Sequence, residues 1–429
     1  MSFRNTEIGK LPSEWDVKTL KECSTKITDG THSTVKDNKD GEYYLLSCKN
    51  VKNGNVVLGE KERKIDLDTL KKLRKRTNMD IGDLLLTTVG TIGESAIVKD
   101  LNFEFQRSVA IIKLDTKKVN KNFAYYITKD RYFKYQVSGR ISGSVQKCLY
   151  LGDINNIKIP LPSLGEQKAI AKILSDLDEK IEINNKINKN LEEMAQAIFK
   201  QWFVDFEFPN EEGKPYKSSG GEMVESELGM IPKGWKIKNI TELVDSISIK
   251  HKFDKEKVIF LNTSDILEGK FLNKEYSEIS NLPGQAKKSI SKDDILYSEI
   301  RPKNKRFAYV NFDSEDYVVS TKLMVLRSKN LKYSQVIYYL LTGKEFVEKI
   351  NILAESRSGT FPQITFSTLK SITLAFPEES RFNLDIFKNI LDKFYDLANE
   401  NEKLEKLRDT LLPKLMSGEI RVPLENNEN

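Results

Sequence analysis

The sequence contains few of the residues on which most metal binding and side-chain catalysis depend. Its 429 residues include two histidines, His32 and His251, and three cysteines, Cys23, Cys48 and Cys148. A histidine-rich metal site, a Ser-His-Asp triad and a Cys-His pair are therefore not expected. The cysteines show no Cys-x-x-Cys spacing, which argues against a disulfide framework and fits a reducing cytoplasm.

Long apolar runs and the motifs of several enzyme classes are also missing. No stretch approaches about 18 uncharged apolar residues, the length that a membrane-spanning helix needs. The first residues lack the apolar core of a secretory signal. The chain has no GxxxxGKS/T phosphate loop, no GxGxxG after a strand and no Asn/Asp-Pro-Pro-aromatic methyltransferase motif. These absences predict a cytoplasmic chain without a membrane anchor and without chemistry of its own.

Positive charge is present in excess, and it is unevenly distributed. The net charge of +6 divides into +9 for residues 1–160, −3 for 161–210, +4 for 211–377 and −4 for 378–429. Polyanion binding needs excess positive charge to displace counterions from phosphates. The two basic blocks are therefore candidates for nucleic-acid contact, although a solvated lysine-rich surface explains the charge equally well.

The two basic blocks also share an internal repeat at about half the chain length. Residues 7–15 return at 227–235 with an offset of 220, and residues 123–126 return at 336–339 with an offset of 213. Both blocks contain short β-branched and aromatic runs between Gly and Asn residues, with helical patterns interspersed, which predicts mixed α/β domains. The common order and the nearly constant offset indicate an internal duplication.

Each acidic block changes to a helical period. Ser163 followed by Glu166 is a capping-box pattern, and the apolar residues that follow recur in steps of three and four. The same stripe returns in the second acidic block at an offset of 213. The predicted seam, with one polar interruption marked in each helix, consists of Ile170, Leu174, Leu177, Ile181, Asn188, Leu191 and Ile198 and of Ile390, Phe394, Asn401, Leu404 and Leu411. Two such helices should pack on each other, with the two asparagines either fixing the register or facing solvent.

The predicted fold class is therefore α/β (mixed α+β) globular domains separated by two long antiparallel coiled-coil spacer helices, with a pseudo-two-fold internal repeat. We expect a first globular domain at 1–160, a first spacer helix at 161–210, a second globular domain at 211–377, and a second helix with the C-terminal tail at 378–429. Antiparallel helices would place one globular domain at each end of a spacer, so that the molecule could act as a ruler.

In this order the motifs resemble those of the specificity subunit of type I restriction-modification systems. The resemblance is carried by the Ile/Leu-Pro-x-x-Trp entries that end at Trp15 and Trp235, by the helix start at residues 161–167 and by the helix end Gln201-Trp202-Phe203. It covers essentially the whole chain. The second helix start departs from the pattern, because residues 377–381 lack the Glu-Gln pair found at 166–167.

The resemblance implies a non-catalytic subunit with two target-recognition domains that read a bipartite target in double-stranded DNA. It implies two methyltransferase subunits and additional restriction subunits as partners in the cytoplasm of a bacterium or archaeon. S-adenosylmethionine would then belong to the methyltransferase subunits, ATP and Mg to the restriction subunits, and no cofactor or metal to this chain.

Loop residues that can reach base edges or phosphates are the candidate DNA contacts. In the first half they are Thr31, His32, Ser33, Lys36, Lys49, Asn50, Lys52, Gly90, Thr91, Ser142, Ser144, Gln146 and Lys147. In the second half they are Asn262, Thr263, Arg301, Lys303, Lys305, Arg306, Arg357, Ser358, Thr360 and Gln363. A solvated loop position is the alternative for any single residue, whereas the loops as groups are predicted to touch DNA.

Three questions stay open at the level of sequence. The aromatic residues after the first helix, Phe199, Trp202, Phe203, Phe206 and Phe208, fit either a partner-facing surface or packing against the chain's own domain. A coiled-coil scaffold with two protein-binding ends is an alternative to a DNA reader. An enzyme such as a fused nuclease or methyltransferase is a second alternative, against which the missing motifs argue.

Overall fold

The structure is a computed structural model that describes residues 2–59, 61–143, 147–357, 360–380 and 382–423. Two compact units make up the chain. The first contains Met1–Glu182 and Glu402–Asn429, and the second contains Ile183–Asn401.

The first unit contains short strands and short helices ahead of one long helix. Its strands are β1 (Phe3–Thr6), β2 (Gly9–Pro12), β3 (Asp16–Thr19), β4 (Ser24–Asp29), β5 (Tyr43–Leu46), β6 (Val51–Lys52), β7 (Asn55–Val56), β8 (Arg63–Ile65), β9 (Leu84–Thr87), β10 (Ser95–Ile97), β11 (Phe103–Phe105), β12 (Val109–Leu114) and β13 (Lys158–Leu161). Its helices are α1 (Leu67–Thr77), α2 (Lys121–Lys129), α3 (Arg131–Ser138), α4 (Leu151–Asn155) and the start of α5 (Leu164–Phe199).

Two sheets form the centre of this unit. The larger has the order β10-β9-β12-β4 and is antiparallel, and the smaller has the order β11-β5-β8 with β11 parallel to β5. Successive side chains of a strand point to opposite faces. Leu84 and Leu86 therefore pack with Phe123 of α2, while Leu85 and Ile111 pack with residues of the smaller sheet. Because both faces of β9 and β12 are covered, these strands read as continuous apolar runs.

The second unit contains the remaining elements. Its strands are β14 (Met223–Ser226), β15 (Gly229–Pro232), β16 (Trp235–Asn239), β17 (Val244–Ile247), β18 (Lys257–Leu261), β19 (Ile266–Leu267), β20 (Lys270–Phe271), β21 (Tyr276–Glu278), β22 (Ala286–Ser289), β23 (Asp294–Ser298), β24 (Phe307–Tyr309), β25 (Tyr317–Ser320), β26 (Leu323–Ser328) and β27 (Thr373–Pro377). Its helices are α6 (Ile240–Leu243), α7 (Ser334–Thr342), α8 (Lys344–Arg357), α9 (Phe366–Leu369), the later part of α5 and the start of α10 (Asp385–Met416), whose residues from Glu402 onward belong to the first unit.

The second unit is also built around two sheets. One has the order β17-β26-β23-β24, and the other has the order β21-β18-β25-β22 with β25 parallel to β18. Every residue of β23 is buried. The carboxylate of Asp294, at its start, is fully buried and accepts two hydrogen bonds from Arg327 of β26, at 2.7 and 2.9 Å. This charge-assisted fork fixes the pairing of the two central strands.

The start of α5 differs in one respect from the predicted capping box. The Ser163 hydroxyl accepts from the Glu166 N–H at 3.2 Å, as expected. The Glu166 carboxylate does not reach back, however, since it accepts from the Trp15 indole N–H at 3.0 Å and from Arg421 Nε at 2.6 Å. Only the serine half of the box is formed, because contacts distant in sequence take up the glutamate.

The long helices α5 and α10 pack against each other within each unit. In the second unit Asn184 donates to the side-chain oxygen of Asn401 at 2.9 Å, and Asn188 donates to the Phe394 carbonyl at 3.1 Å. In the first unit Arg408 donates to Asp178 at 2.8 Å. Asn188 follows Asn184 in α5, whereas its partner Phe394 precedes Asn401 in α10, so the two helices are antiparallel in the second unit.

The twelve predicted seam residues lie in the interior or at its edge. The buried ones are Ile170, Leu174, Ile181, Asn188, Ile390, Phe394 and Asn401, and the half-buried ones are Leu177, Leu191, Ile198, Leu404 and Leu411.

The aromatic residues that follow α5 pack inside the second unit. Phe203 and Phe208 are buried, and both rings lie against Trp235, with centroid distances of 5.7 and 5.3 Å. Trp202 meets Phe387 of α10 edge to face at 5.6 Å. The sequence leaves two explanations open for this cluster, and the structure shows the second one, packing against the chain's own domain.

Candidate nucleic-acid interface

The turn between β11 and β12 holds three predicted loops of the first unit together. The Arg107 backbone N–H donates to the Thr31 carbonyl at 3.0 Å. Ser108 accepts twice, through its hydroxyl from the Cys48 N–H at 3.0 Å and through its carbonyl from the Thr88 N–H at 2.9 Å. The loops that contain Thr31, Cys48 and Thr88 therefore meet at one end of the central sheet.

A fourth predicted loop joins the same group. Val89 pairs with Cys148 in an antiparallel bridge, and the Leu149 N–H donates to the Thr88 carbonyl at 2.9 Å. Ser142 and Cys148 exchange backbone hydrogen bonds of 2.9 and 3.1 Å. These bonds hold both ends of the segment from Ser142 to Cys148 beside the loop that follows β9.

Gly90 allows this close approach. Its backbone is left-handed, with φ of +71°, a conformation that residues with a Cβ rarely adopt. A Cβ at this position would lie only 3.1 Å from the Cys48 sulfur. The glycine therefore lets the loops at Cys48 and Thr88 pack together while its neighbour Thr91 stays exposed.

His32 is part of a short polar chain. Its Nε2 lies 2.6 Å from Asp29 Oδ2, and the other oxygen of Asp29 accepts from Arg76 at 2.7 Å. The His32 side chain is 50% exposed. It is therefore oriented by Asp29 and still accessible from solvent, whereas the adjacent Thr31 is buried.

The loop after β5 separates an accessible lysine from an inaccessible asparagine. Asn50 is 2% exposed, and its amide donates to the Val57 carbonyl at 3.0 Å and to Glu62 at 2.8 Å. Lys49 pairs with Glu62 at 3.0 Å while remaining largely exposed. Burial acts to raise the pKa of Glu62, but the hydrogen bonds from Lys49, Asn50 and the Gly59 backbone outweigh it and lower that pKa. Asn50 thus holds the loop, and its side chain is not presented to a ligand.

The other predicted residues of the first unit are mostly exposed. Those with exposed side chains are Ser33, Lys36, Lys52, Thr91, Ser142 and Lys147. Ser144 and Gln146 lie outside the described residues.

The second unit brings its predicted loops together in the same way. Ile300 pairs with Gln363 in an antiparallel bridge, and the Ile364 N–H donates to the Glu299 carbonyl at 2.9 Å. These bonds correspond one for one to those between Val89 and Cys148 and between Leu149 and Thr88. The loop after β23 and the loop before α9 therefore lie side by side.

Arg301 stands out in this pair of loops. Its backbone is left-handed, with φ of 46°, and its N–H donates to the Pro362 carbonyl at 3.0 Å. Its guanidinium lies 5.7 Å from the ring centroid of Phe361, which is 58% exposed. No carboxylate pairs with Arg301 among the described residues. An arginine stacked on an aromatic ring is pre-oriented and keeps its hydrogen-bond donors free for a ligand.

The basic residues that follow Arg301 are tied to nearby groups. Lys303 lies 3.7 Å from Glu355, and Lys305 lies 2.8 Å from Glu268. Arg306 donates to two backbone carbonyls, at 2.9 and 3.0 Å. The two ion pairs are exposed, and such pairs contribute little stability and are readily exchanged for another anion.

The last predicted residues have mixed roles. Asn262 accepts from the Thr263 N–H at 2.8 Å and so caps a short turn, and both residues are half-buried. Thr360 is exposed and Gln363 is half-buried. The Arg357 side chain and Ser358 lie outside the described part of the chain.

Two exposed residues of these loops are not among the contacts predicted from the sequence. Arg107 lies at the turn on which the first unit's loops converge, and it has no carboxylate partner among the described residues. Phe361 supports Arg301 in the second unit. The sequence signal available for Arg107 was its position between two strand-like runs, Phe103–Phe105 and Val109–Leu114, but only the tertiary structure places this turn among the other loops.

The described residues contain no group of three or more His, Cys, Asp or Glu side chains arranged to hold a metal ion. None of their helices is both long and apolar enough to cross a bilayer. The exposed loop residues of both units offer hydrogen-bond donors, acceptors and positive charge, which are the groups that contact nucleic acids.

Comparison with known proteins gives a consistent result. The family model described as "Type I restriction modification DNA specificity domain" matches twice, at residues 12–193 and 232–408. The HindI specificity subunit of Haemophilus influenzae is 42% identical over 181 residues, 41% of this chain and 39% of that protein. The MjaIX specificity subunit of Methanocaldococcus jannaschii is 29% identical over 437 residues, 98% of this chain and 96% of the relative.

One solved structure shares the fold. The crystal structure of a type I restriction-modification S subunit from M. genitalium matches with a TM-score of 0.57 at 16% identity, covering 94% of this chain and 96% of that one. At this identity the match speaks for a common mixed α/β fold.

Proposed function

This chain belongs to the family of type I restriction-modification DNA specificity domains, and we propose that it reads a double-stranded DNA target in two parts. As a member of this family it is a specificity component and not an enzyme. In the proposal, residues 1–160 and 211–377 are target-recognition domains produced by an internal duplication, and each reads one half-site.

One observation carries the proposal. Each unit ends a central buried strand, β9 or β23, in a polar loop, and fastens that loop to a second polar loop through equivalent backbone bonds. Loops held on a rigid sheet can present side chains to base edges with little loss of entropy. Two such groups in one chain support two separate half-sites.

The proposed contacts are the exposed members of the predicted set together with the two residues that the sequence did not indicate. In the first domain the strongest are Arg107, His32, Thr91, Ser142 and Lys147. In the second they are Arg301, Phe361, Lys303 and Thr360. Arginine is the best suited to read guanine because its fork matches two acceptors in the major groove. Asn50 is left out because it is buried and hydrogen bonded within the fold.

The helices α5 and α10 are proposed to act as a coiled-coil spacer and as the docking surface for two methyltransferase subunits and for restriction subunits. Several of their apolar side chains are exposed, as expected of a surface that a partner covers. They are Ile183 (51%), Met194 (52%) and Leu407 (48%). S-adenosylmethionine, ATP and Mg would be bound by those partners, and the complex would work in the cytoplasm.

Methylation sequencing of cellular DNA tests the proposal. Cells carrying a cognate methyltransferase are compared with and without this chain. A two-part adenine motif that depends on the chain is the expected result, and it would also identify the target. If no motif appears although the chain forms a complex with the methyltransferase, the DNA-reading proposal is wrong and a protein-binding scaffold is the better description.

A further inference from the structure

Helix α1 of the first unit carries a concentration of positive charge that the proposed function has not used. Five of the six residues from 71 to 76 are Lys or Arg. Lys71, Lys72 and Lys75 are exposed, and none of the three has a carboxylate partner among the described residues. We call these three side chains the α1 lysine face. Lys75 follows Lys71 by four residues and Lys72 by three, and residues three or four apart are neighbours on a helix surface, so the three side chains share one side of α1.

The rest of α1 holds this face in place. The Asp66 side chain caps the helix by accepting from the Thr69 N–H at 2.7 Å. Leu70 is buried, and the guanidinium of Arg74 pairs with the fully buried carboxylate of Glu104. Arg74 also donates to the Phe103 carbonyl at 2.7 Å. The helix is therefore anchored through its inner side, and the lysines do not contribute to its packing.

The helix is joined to the predicted DNA-reading loops. Arg76, at its C-terminal end, donates to Asp29, and Asp29 orients His32. Val35, in the same loop as His32, packs against the apolar cluster that includes Leu70. The α1 lysine face and the loop of His32 and Lys36 therefore belong to one continuous surface of the first unit.

The second unit has no comparable helix in the described residues at this point of its fold. In the first unit α1 follows β8, which pairs with β5. In the second unit the corresponding strand β21, which pairs with β18, is followed by a three-residue turn, Ile279–Asn281, that contains no Lys or Arg. The basic helix is thus a feature of the first recognition domain.

We propose that the α1 lysine face binds the phosphate backbone of duplex DNA and anchors the first recognition domain beside the bases that its loops read. This inference rests on the proposed function, because it takes DNA as the ligand. Lysine ammonium groups on flexible stems act as point charges, which suits phosphates better than the fixed donor pattern of a base edge. Unpaired lysines can bind phosphates and release the counterions of the DNA without first breaking an ion pair within the protein.

The test compares the full chain, in complex with its methyltransferase subunits, with a variant carrying K71Q, K72Q and K75Q. Binding is measured over a range of salt concentrations to a duplex with the methylated motif and to a duplex of scrambled sequence. Each lost phosphate contact should reduce the slope of log K against log salt by about 0.9, so three contacts reduce it by about 2.7. Binding to both duplexes should weaken, and the methylated motif should stay the same.

A second variant with K18Q, K21Q and K117Q provides the control, because it removes the same charge from exposed positions of the same unit. An equal loss of slope in both variants would show that net charge alone matters and would overturn the anchor. An unchanged slope in the α1 variant would also overturn the anchor. A changed methylation motif would overturn it as well, because the lysines would then read bases. If the unaltered complex shows no preference for the motif, the proposed function fails instead. Thermal melts that match the parent chain verify that the variants are folded.

Discussion

Arg107 lies where the loops of the first unit meet, although no sequence motif surrounds it. Its backbone N–H is bonded to Thr31, and its carbonyl accepts from the Thr88 hydroxyl at 3.4 Å. The main chain is therefore fixed from two sides while the side chain is exposed. A short, immobilised turn with an unpaired guanidinium is well suited to base recognition, because little entropy is lost when the arginine binds.

Replacing Arg107 with Ala should affect only the first half-site. A bidentate contact to a base is worth about 1–3 kcal/mol of discrimination, so the preference at one position of that half-site should fall by about fivefold to 150-fold. Binding to duplexes with single-base changes measures the effect. Arg131→Ala, which removes another exposed arginine of the same unit, serves as the control. Equal losses at every position of the half-site would contradict a base contact.

In helix α5, the local sequence pattern predicts the helix itself, whereas contacts with distant residues determine which of its polar side chains are buried. The apolar period predicts a helix of about the observed length, because side-chain spacing along one stripe depends only on local sequence. Its polar interruptions are buried: Asn184 and Asn188 are 0% and 4% exposed and bond to α10 in the second unit. Asn188 and Asn401 are buried and do not face solvent; a buried asparagine that bonds across a helix pair favours one register over others, and register fixing by these two residues stays a prediction.

Glu192, on the same helix, makes the stability of the chain depend on pH. Burial raises the pKa of its carboxyl group above the ordinary value, and the charge of Glu268 acts in the same direction. The folded state therefore holds the proton more tightly than the unfolded state, so stability falls as pH rises through the interval between the two pKa values. Glu192→Gln should raise the melting temperature at neutral pH.

The gain from Glu192→Gln should disappear as pH falls below about 4.3, where the carboxyl group is protonated in both states. Thermal melts at the two pH values measure it. Glu193→Gln, at the exposed neighbouring position, is the control and should change little at either pH. A gain that is the same at both pH values would show that ionisation of Glu192 is not its cause.

At the scale of the whole molecule, the proposal assigns separate tasks to the two domains and to the helices. The two family matches, at 12–193 and 232–408, each include a globular part and part of a long helix. If the domain in each matched region reads one half-site, the helices have to set the distance between the two half-sites. The number of base pairs between the half-sites would then be determined by helix length and not by the recognition loops.

Inserting four residues near Asn188 and near Asn401 tests this ruler. Four residues lengthen a helix by about 6 Å, so the spacer in the methylated motif should change, or binding should be lost, while both half-sites stay the same. Methylation sequencing reads the spacer directly. Four residues added in the exposed loop at Glu211 and Glu212 are the control. An unchanged spacer in a variant that still methylates DNA would contradict the ruler.

The sequence by itself determined the features that depend on local spacing and order: the strand and helix periods, the repeat, the excess charge of the first block and the motifs that indicated the family. These are properties of neighbouring residues or of chain order, which the sequence states directly. The two long helices α5 and α10 could be predicted for this reason.

Only the tertiary structure decided which polar residues face solvent and which ones hold the fold. Asn50 and Arg107 are equally polar, yet the first is enclosed by its loop and the second is exposed where other loops meet. Glu166 fits a local capping pattern, but residues 151 and 255 positions away take up its carboxylate. Burial and partner choice depend on contacts between segments far apart in the chain, and a local pattern does not contain that information.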